Sequence, residues 1–156
     1  MSEMIFKSPQ VKDNGMHPTQ LSYEAAKDQV DLFLDYYDIE PEVDAESSDH
    51  RAQLLNAIHR LTKHVMKGRV EISMEGNKIK VIQKLKFPVN DVNSLEYKVC
   101  GGVARSEMKH ADQNDMNGKI YNMVGSLTNW TGNSIKKLEG VDISAVECLG
   151  MLFLAV

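Results

Sequence analysis

Cysteine, long apolar runs and a signal peptide are scarce or missing in this sequence. The chain has only two cysteines, Cys100 and Cys148, which provide neither a disulfide framework nor a zinc site built on paired thiolates. Its most apolar stretch, 143–156, contains Glu147 and is shorter than the roughly 20 residues that cross a bilayer. The first ten residues lack the basic start and apolar run of a signal peptide. These absences predict a protein of a reducing, cytosolic compartment without a membrane partner.

Positive charge is not in excess. The chain has 18 Lys and Arg residues against 22 Asp and Glu residues, a formal net charge of -4. Because phosphate backbones attract basic surfaces, we do not expect nucleic acid as the main partner. With 42% hydrophobic and 26% charged residues, the composition is typical of one globular domain.

The first half of the sequence predicts an arm followed by two helices. Residues 1–18 show no period and contain two prolines and a glycine, which favours an extended arm. The first helix is predicted from Ser22 to Tyr37, with Ser22 or Thr19 as its cap. The second helix is predicted to be capped by Ser48 and to end at Gly68. Its apolar face consists of Leu54, Leu55, Ile58, Leu61, Val65 and Met66.

A small antiparallel sheet is predicted next. Apolar residues alternate with polar ones over two segments that an EGNK turn joins, which indicates a β-hairpin. Pro88 and the NDVNS segment then interrupt the pattern. A third strand carries Leu95, Tyr97 and Val99, so the sheet has about three strands.

The helical period returns after the sheet. A short segment ends near Asp112, and a longer helix is predicted for 115–130. Ser134 is expected to cap a single turn, and Asp142 to cap the terminal helix. We therefore predict an α+β fold with two N-terminal helices, a small antiparallel sheet and a C-terminal helical set.

These elements predict one domain after the arm. Residues 19–156 form it, and it comprises a helical pair (19–68), a small sheet (69–100) and the C-terminal helices (101–156).

Few residues suggest chemistry. Cys100 lies between a predicted strand and a helix, where a helix N-terminus could stabilise a thiolate and His110 could act as its base. We favour a structural turn, because His110 would lie at the far end of that short helix. No histidine spacing fits a metal site, and a cation site at His110, Asp112 and Asp115 is less favoured than a solvated helix end. We predict no metal, no cofactor and no enzymatic activity.

Two features suggest partners. Nine methionines are many for this length; they fit ordinary core filling or a surface that adapts to a partner helix.

Eight acidic residues and no Lys or Arg occur in 31–49, whereas nine basic residues occur in 51–86. This segregation fits either solvated faces or charge attraction between subunits of a homo-oligomer.

The second half also carries the motifs of a known family. A Leu-x-x-Pro strand, a second strand, a helix closing at Leu-Thr-x-x-Thr-Gly, a leucine, and an aspartate that opens the last helix follow one another. The residues that carry these motifs are Leu85, Pro88, Leu95, Leu127, Thr128, Gly132, Leu138 and Asp142. From Val81 to Phe153 the chain resembles the short tail assembly chaperones of contractile- and long-tailed bacteriophages. The N-terminal half lies outside this pattern.

The resemblance implies a non-enzymatic protein that acts in the host cytoplasm during virion morphogenesis. It implies that the chain covers the long helical tape-measure protein, recruits tail-tube subunits and then leaves the tail. The C-terminal helices are the expected contact surface, although the same residues are the natural core. The expected partner-binding residues are Met116, Ile120, Met123, Leu127, Trp130, Leu149, Leu152 and Phe153.

Three alternatives remain open at this point. The chain could be a structural virion component or adaptor that forms a homo-oligomer through its arm and charged faces. It could be a phage-encoded inhibitor of a host protein, since the acidic stretch 31–49 could mimic nucleic acid. A cysteine-dependent enzyme acting through Cys100 is the third alternative.

Overall fold

The computed structural model describes residues 20–156, and the arm predicted for residues 1–18 lies outside this range. In chain order the elements are α1 (Tyr23–Tyr37), α2 (Pro41–Asp44), α3 (Ser48–Met66), β1 (Val70–Glu75), β2 (Lys78–Val89), β3 (Val92–Tyr97), α4 (Gly102–Ser106), α5 (Met116–Leu127), α6 (Gly132–Ile135) and α7 (Val141–Phe153). A 3₁₀ helix, Glu107–His110, follows α4. The predicted mixed α+β class is confirmed for the described part of the chain.

Side-chain caps fix the starts of α1 and α3. The N–H of Ala25 donates to Ser22 Oγ (3.1 Å), as expected for the first helix. The predicted cap of α3 is wrong by one residue, since the N–H of His50 donates to the hydroxyl of Ser47. Ser47 has the extended backbone of a cap, whereas Ser48 is already helical. Leu55 is also misplaced on the predicted apolar face, because its side chain is 45% exposed.

The described sheet has three antiparallel strands in the order β1-β2-β3. The prediction that Pro88 interrupts the strand pattern is wrong. The second strand, β2, passes through Pro88 and continues to Val89. The turn follows at Asn90 and Asp91, which both have positive φ. Proline has no backbone N–H to donate to a neighbouring strand. Pro88 is tolerated because the pairing of β2 with β3 is irregular between Lys84 and Val89, so no regular hydrogen bond of the sheet is lost there. The third strand ends at Tyr97, two residues earlier than predicted.

Three helices follow the sheet and the short α4, and the predicted N-terminal caps of two of them, α6 and α7, are wrong. Asp115 caps α5 by accepting the N–H of Gly118, and α5 ends at Leu127 rather than at residue 130. The predicted cap Ser134 is wrong: its N–H donates to Thr131 Oγ1, so Thr131 caps α6. The predicted cap Asp142 is also wrong, because it lies inside the first turn of α7 and its carboxylate bonds to another element.

Helix α7 occupies the centre of the described fold. It packs against α3, α5 and β2. The Phe153 ring lies edge-on to Phe33, with 5.3 Å between ring centroids, and stacks near Tyr97 at 6.1 Å. Where α7 approaches α5, position 150 must be glycine, because a Cβ there would overlap the side chain of Ile120. Helix α7 thus joins both helical regions to the sheet in one core.

Candidate functional site

The structure divides the eight expected partner-binding residues into two groups. Six side chains are buried in the core: Ile120, Met123, Leu127, Leu149, Leu152 and Phe153. They are buried because the apolar stripe of α5 is the face that packs against α7. A partner could contact these six only if the core opened. Met116, with 49% of its surface exposed, and the half-buried Trp130 remain accessible.

The thiol of Cys100 lies in a setting that opposes nucleophilic chemistry. Its side chain is buried, and burial raises its pKa even though Arg105 lowers it. Its N–H donates to Tyr37 Oη (3.0 Å), which ties the start of α4 to α1. The imidazole of His110 is exposed and lies 4.0 Å from the carboxylate of Glu107. These contacts are those of a structural strand-to-helix turn.

A polar cluster around the buried His64 is not predicted by the sequence. It consists of Arg60, His64 and Arg69 with Ser144 of α7, and His64 is only 4% exposed. The guanidinium of Arg60 donates to Ser144 Oγ (2.6 Å), and His64 Nε2 lies 3.4 Å from the same oxygen. No spacing rule could reveal the cluster, because His64 and Ser144 are 80 residues apart.

The proton on His64 decides what this cluster can do. Arg69 Nε donates to His64 Nδ1 (3.1 Å), so Nδ1 carries the lone pair. A neutral imidazole then carries its proton on Nε2, which faces Ser144 as a donor. A general base would need its lone pair at Nε2, so this serine–histidine pair does not have the arrangement of a catalytic dyad.

The charges around His64 favour its neutral form. Burial lowers the pKa of His64 from 6.5 to about 4, and the cations Arg69 and Arg60 act in the same direction. Burial also lowers the pKa of Arg69, which the carboxylate of Asp142 partly offsets. The cluster therefore joins α3 to α7 as a neutral histidine among cations.

Asp142 is a second buried polar residue that links elements. Its carboxylate accepts the N–H groups of Lys86 and Phe87, each at 2.8 Å. Its carbonyl accepts the side-chain amide of Gln83, whose oxygen accepts the Tyr97 hydroxyl. Since every one of these groups is hydrogen-bonded, the network anchors α7 to the sheet without an unpaired buried group.

A concave surface in the described part of the chain surrounds Trp130. This Trp130 cleft, with a volume of about 590 Å³, lies where the end of β3, the 3₁₀ helix, the last turns of α5 and the start of α6 meet. Its lining consists of Lys98, Glu107, His110, Asn122, Ser126, Asn129, Trp130, Thr131, Gly132 and Asn133. The sequence does carry a signal for the cleft, because the consecutive residues NWTGN (129–133) all line it. Apolar periodicity does not detect such a polar surface.

Close backbone packing shapes the cleft. The N–H of Lys98 donates to Leu127 O (2.8 Å), and that of Trp130 donates to Gly125 O (2.7 Å). A Cβ at Gly125 would lie 2.6 Å from the carbonyl carbon of Thr131, so only glycine lets the loop lie against α5. These contacts hold the residues around Trp130 in place.

Residues 20–156 lack two kinds of feature, a metal-binding cluster and a membrane-spanning helix. No group of three or more His, Cys, Asp or Glu side chains could hold a metal ion there. None of the described helices is long and apolar enough to cross a membrane. Comparison of the chain with models of protein families, with curated proteins and with solved structures found no match.

Proposed function

We propose that this chain is a bacteriophage tail assembly chaperone of the short type. In this proposal it binds the tape-measure protein, tail-tube subunits or both in the host cytoplasm, and performs no chemistry itself. The resemblance between Val81 and Phe153 is the origin of the proposal.

The observation that supports it best is the way the family motifs meet in space. The Leu-x-x-Pro strand and the aspartate of the last helix are 55 residues apart, yet Asp142 accepts the amides of Lys86 and Phe87 between Leu85 and Pro88. The four leucines of the motifs are all buried in the same core: Leu85, Leu95, Leu127 and Leu138. The motifs thus belong to one connected unit of sheet and helices, as expected if they specify a shared fold.

A contact surface for a long apolar helix would need exposed apolar side chains near this unit. The segment that joins β3 to α5, taken together with the first residue of α5, supplies them: Val99, Val103 and Met116 are exposed, and Val103 is 79% exposed. Large apolar side chains gain free energy when a partner covers them. We therefore assign the tape-measure contact to this segment, with Met116 as its member from the expected residues.

The test is co-expression with the long, largely helical chain encoded in the same gene cluster, with and without the tail-tube subunit. We expect the long chain to stay in solution and to co-purify with this protein in a fixed ratio, measured by light scattering of the purified complex. The proposal is wrong if the long chain aggregates equally with and without this protein. A fixed copy number in finished particles would indicate the structural virion component instead.

A matched pair of variants tests the contact surface. Val103→Asp should reduce the co-purified long chain about tenfold, since a buried unpaired carboxylate opposes binding. Val43→Asp is the control, because Val43 is 73% exposed but lies on α2, which packs on α3. If both variants reduce the amount of co-purified long chain equally, the contact does not lie on the β3–α5 segment.

A further inference from the structure

We infer that the Trp130 cleft binds a short neutral oligosaccharide. This inference does not depend on the proposed function. The cleft shares the β3–α5 segment with the proposed protein contact, but Val99, Val103 and Met116 are not part of its lining. It rests on the chemistry of the cleft lining, on its charge balance and on the unpaired polar side chains that face it.

The lining combines one aromatic residue with polar side chains. Trp130 is the only Phe, Trp or Tyr residue in it, beside the smaller imidazole ring of His110, and none of the lining residues is Ala, Val, Leu or Ile. A peptide ligand usually needs apolar pockets for its anchor side chains, which this lining does not offer. A pyranose ring needs one flat apolar surface, for its C–H face, and polar groups around its rim. The volume of about 590 Å³ lies within the usual range for small-molecule sites.

Unpaired carboxamides are the second observation. The side-chain amides of Asn129 and Asn133 are exposed and that of Asn122 is half-buried, and within residues 20–156 none of the three is hydrogen-bonded to another residue. A carboxamide both donates and accepts hydrogen bonds, as a sugar hydroxyl does. Three carboxamides around one indole can therefore satisfy several hydroxyl groups of a single ligand.

The charge balance argues against a phosphorylated or strongly acidic ligand. The lining contains the cation Lys98, but also the carboxylate of Glu107, which lies 4.0 Å from His110. A phosphate would meet a carboxylate at the same wall, which costs free energy. A neutral ligand avoids this repulsion, and Lys98 and Glu107 can still donate to and accept from its hydroxyl groups.

The experiment uses the tryptophan of the cleft as the reporter, because Trp130 is the single tryptophan of the chain. Chitotriose, cellotriose and maltotriose are titrated into the full chain while tryptophan emission is recorded, and a nucleoside monophosphate and an unfolded peptide are titrated in parallel. We expect a saturable emission change with at least one trisaccharide and none with the other two ligands. No response to any trisaccharide, or a response only to the nucleotide or the peptide, would overturn the inference.

Variants then tie the signal to the cleft. Asn133→Ala and Asn122→Ala should each weaken trisaccharide binding about tenfold, since each removes hydrogen bonds to the ligand. Asn56→Ala is the control, because Asn56 is an exposed asparagine on α3 outside the cleft lining. Calorimetry with Trp130→Ala provides a measurement without fluorescence, and unchanged affinity there would also refute the inference. Far-UV circular dichroism verifies that each variant is folded.

Discussion

At the scale of single residues, two buried polar side chains connect parts of the fold in a way that apolar packing cannot. Asp142 accepts two strand amides, and His64 Nε2 faces Ser144 Oγ of α7 at 3.4 Å, so each joins separate segments of the chain. Buried polar groups of this kind disfavour alternative packing, because any other arrangement leaves them unpaired. The two residues therefore specify the position of α7 as well as stabilise it.

His64 makes stability depend on pH in a defined window. Its pKa is about 4 in the folded chain, against the ordinary value of 6.5 expected in the unfolded chain, so the unfolded chain takes up a proton first as pH falls. Above pH 6.5, His64 is neutral in both the folded and the unfolded chain. As pH decreases from 6.5 to about 4, the free energy of unfolding decreases, because the unfolded chain binds the proton more tightly. We expect this residue to lower it by about 2 kcal/mol at about pH 5 relative to about pH 7.

Urea unfolding at several pH values measures this effect. His64→Gln should be less stable at neutral pH but should lose less stability than the natural chain on acidification to about pH 5. The exposed His59 provides the control, since His59→Gln should keep the pH dependence of the natural chain. If the free energy of unfolding of His64→Gln depends on pH as steeply as that of the natural chain, His64 is not the source of this pH dependence.

At the scale of elements, the ends of helices are set by individual side chains whose identity a period does not reveal. Adjacent serines stand at the start of α3, Ser47 just before it and Ser48 as its first residue, and only Ser47 has the extended backbone that lets its hydroxyl accept an amide. Likewise Thr131, not Ser134, starts α6. The apolar periods locate the helix bodies, whereas local backbone conformation selects the caps.

The two serines allow a direct comparison of cap and non-cap. Ser47→Ala should lower the free energy of unfolding by about 1 kcal/mol, because the N–H of His50 loses its acceptor. Ser48→Ala should change it by less than about 0.5 kcal/mol, since Ser48 is an exposed helical residue. Chemical denaturation of both variants measures the difference, and equal losses would place the cap elsewhere.

At the scale of the whole molecule, the described core is continuous. Residues of α1, α3, the sheet, α5 and α7 belong to a single buried cluster, with Phe33 and Phe153 in direct ring contact. Such continuity predicts cooperative unfolding, since no element can leave without opening the rest.

This cooperativity has a simple measurement. The two longest helices, α1 and α3, lie in the N-terminal half, whereas Trp130 follows α5. Urea unfolding followed by helical circular dichroism and by tryptophan emission should therefore give the same midpoint. Separate midpoints would show that the N-terminal helices form an independent unit.

The sequence was informative where the interactions are local. The hairpin followed from alternation around the EGNK turn, and the stop of α3 followed from Gly68, which has a φ of 75°. It was uninformative where a side chain bonds across the fold, as Asp142 does to Lys86. It did not separate the core from a binding surface at Ile120 and its neighbours, which are buried, because one apolar stripe fits both equally well.

The central position of α7 has a consequence for synthesis on the ribosome. The guanidinium of Arg60 in α3 donates a hydrogen bond to Ser144 of α7, which lies 84 residues later in the chain. This face of α3 therefore stays uncovered until α7 has been synthesised. Until α7 leaves the exit tunnel, the apolar faces of α3, α5 and β2 are open to other nascent chains. Closing of the core is therefore expected to be a late and slow step of folding, as for other folds in which distant segments must meet. The growing polypeptide thus passes through a stage at which it needs protection itself.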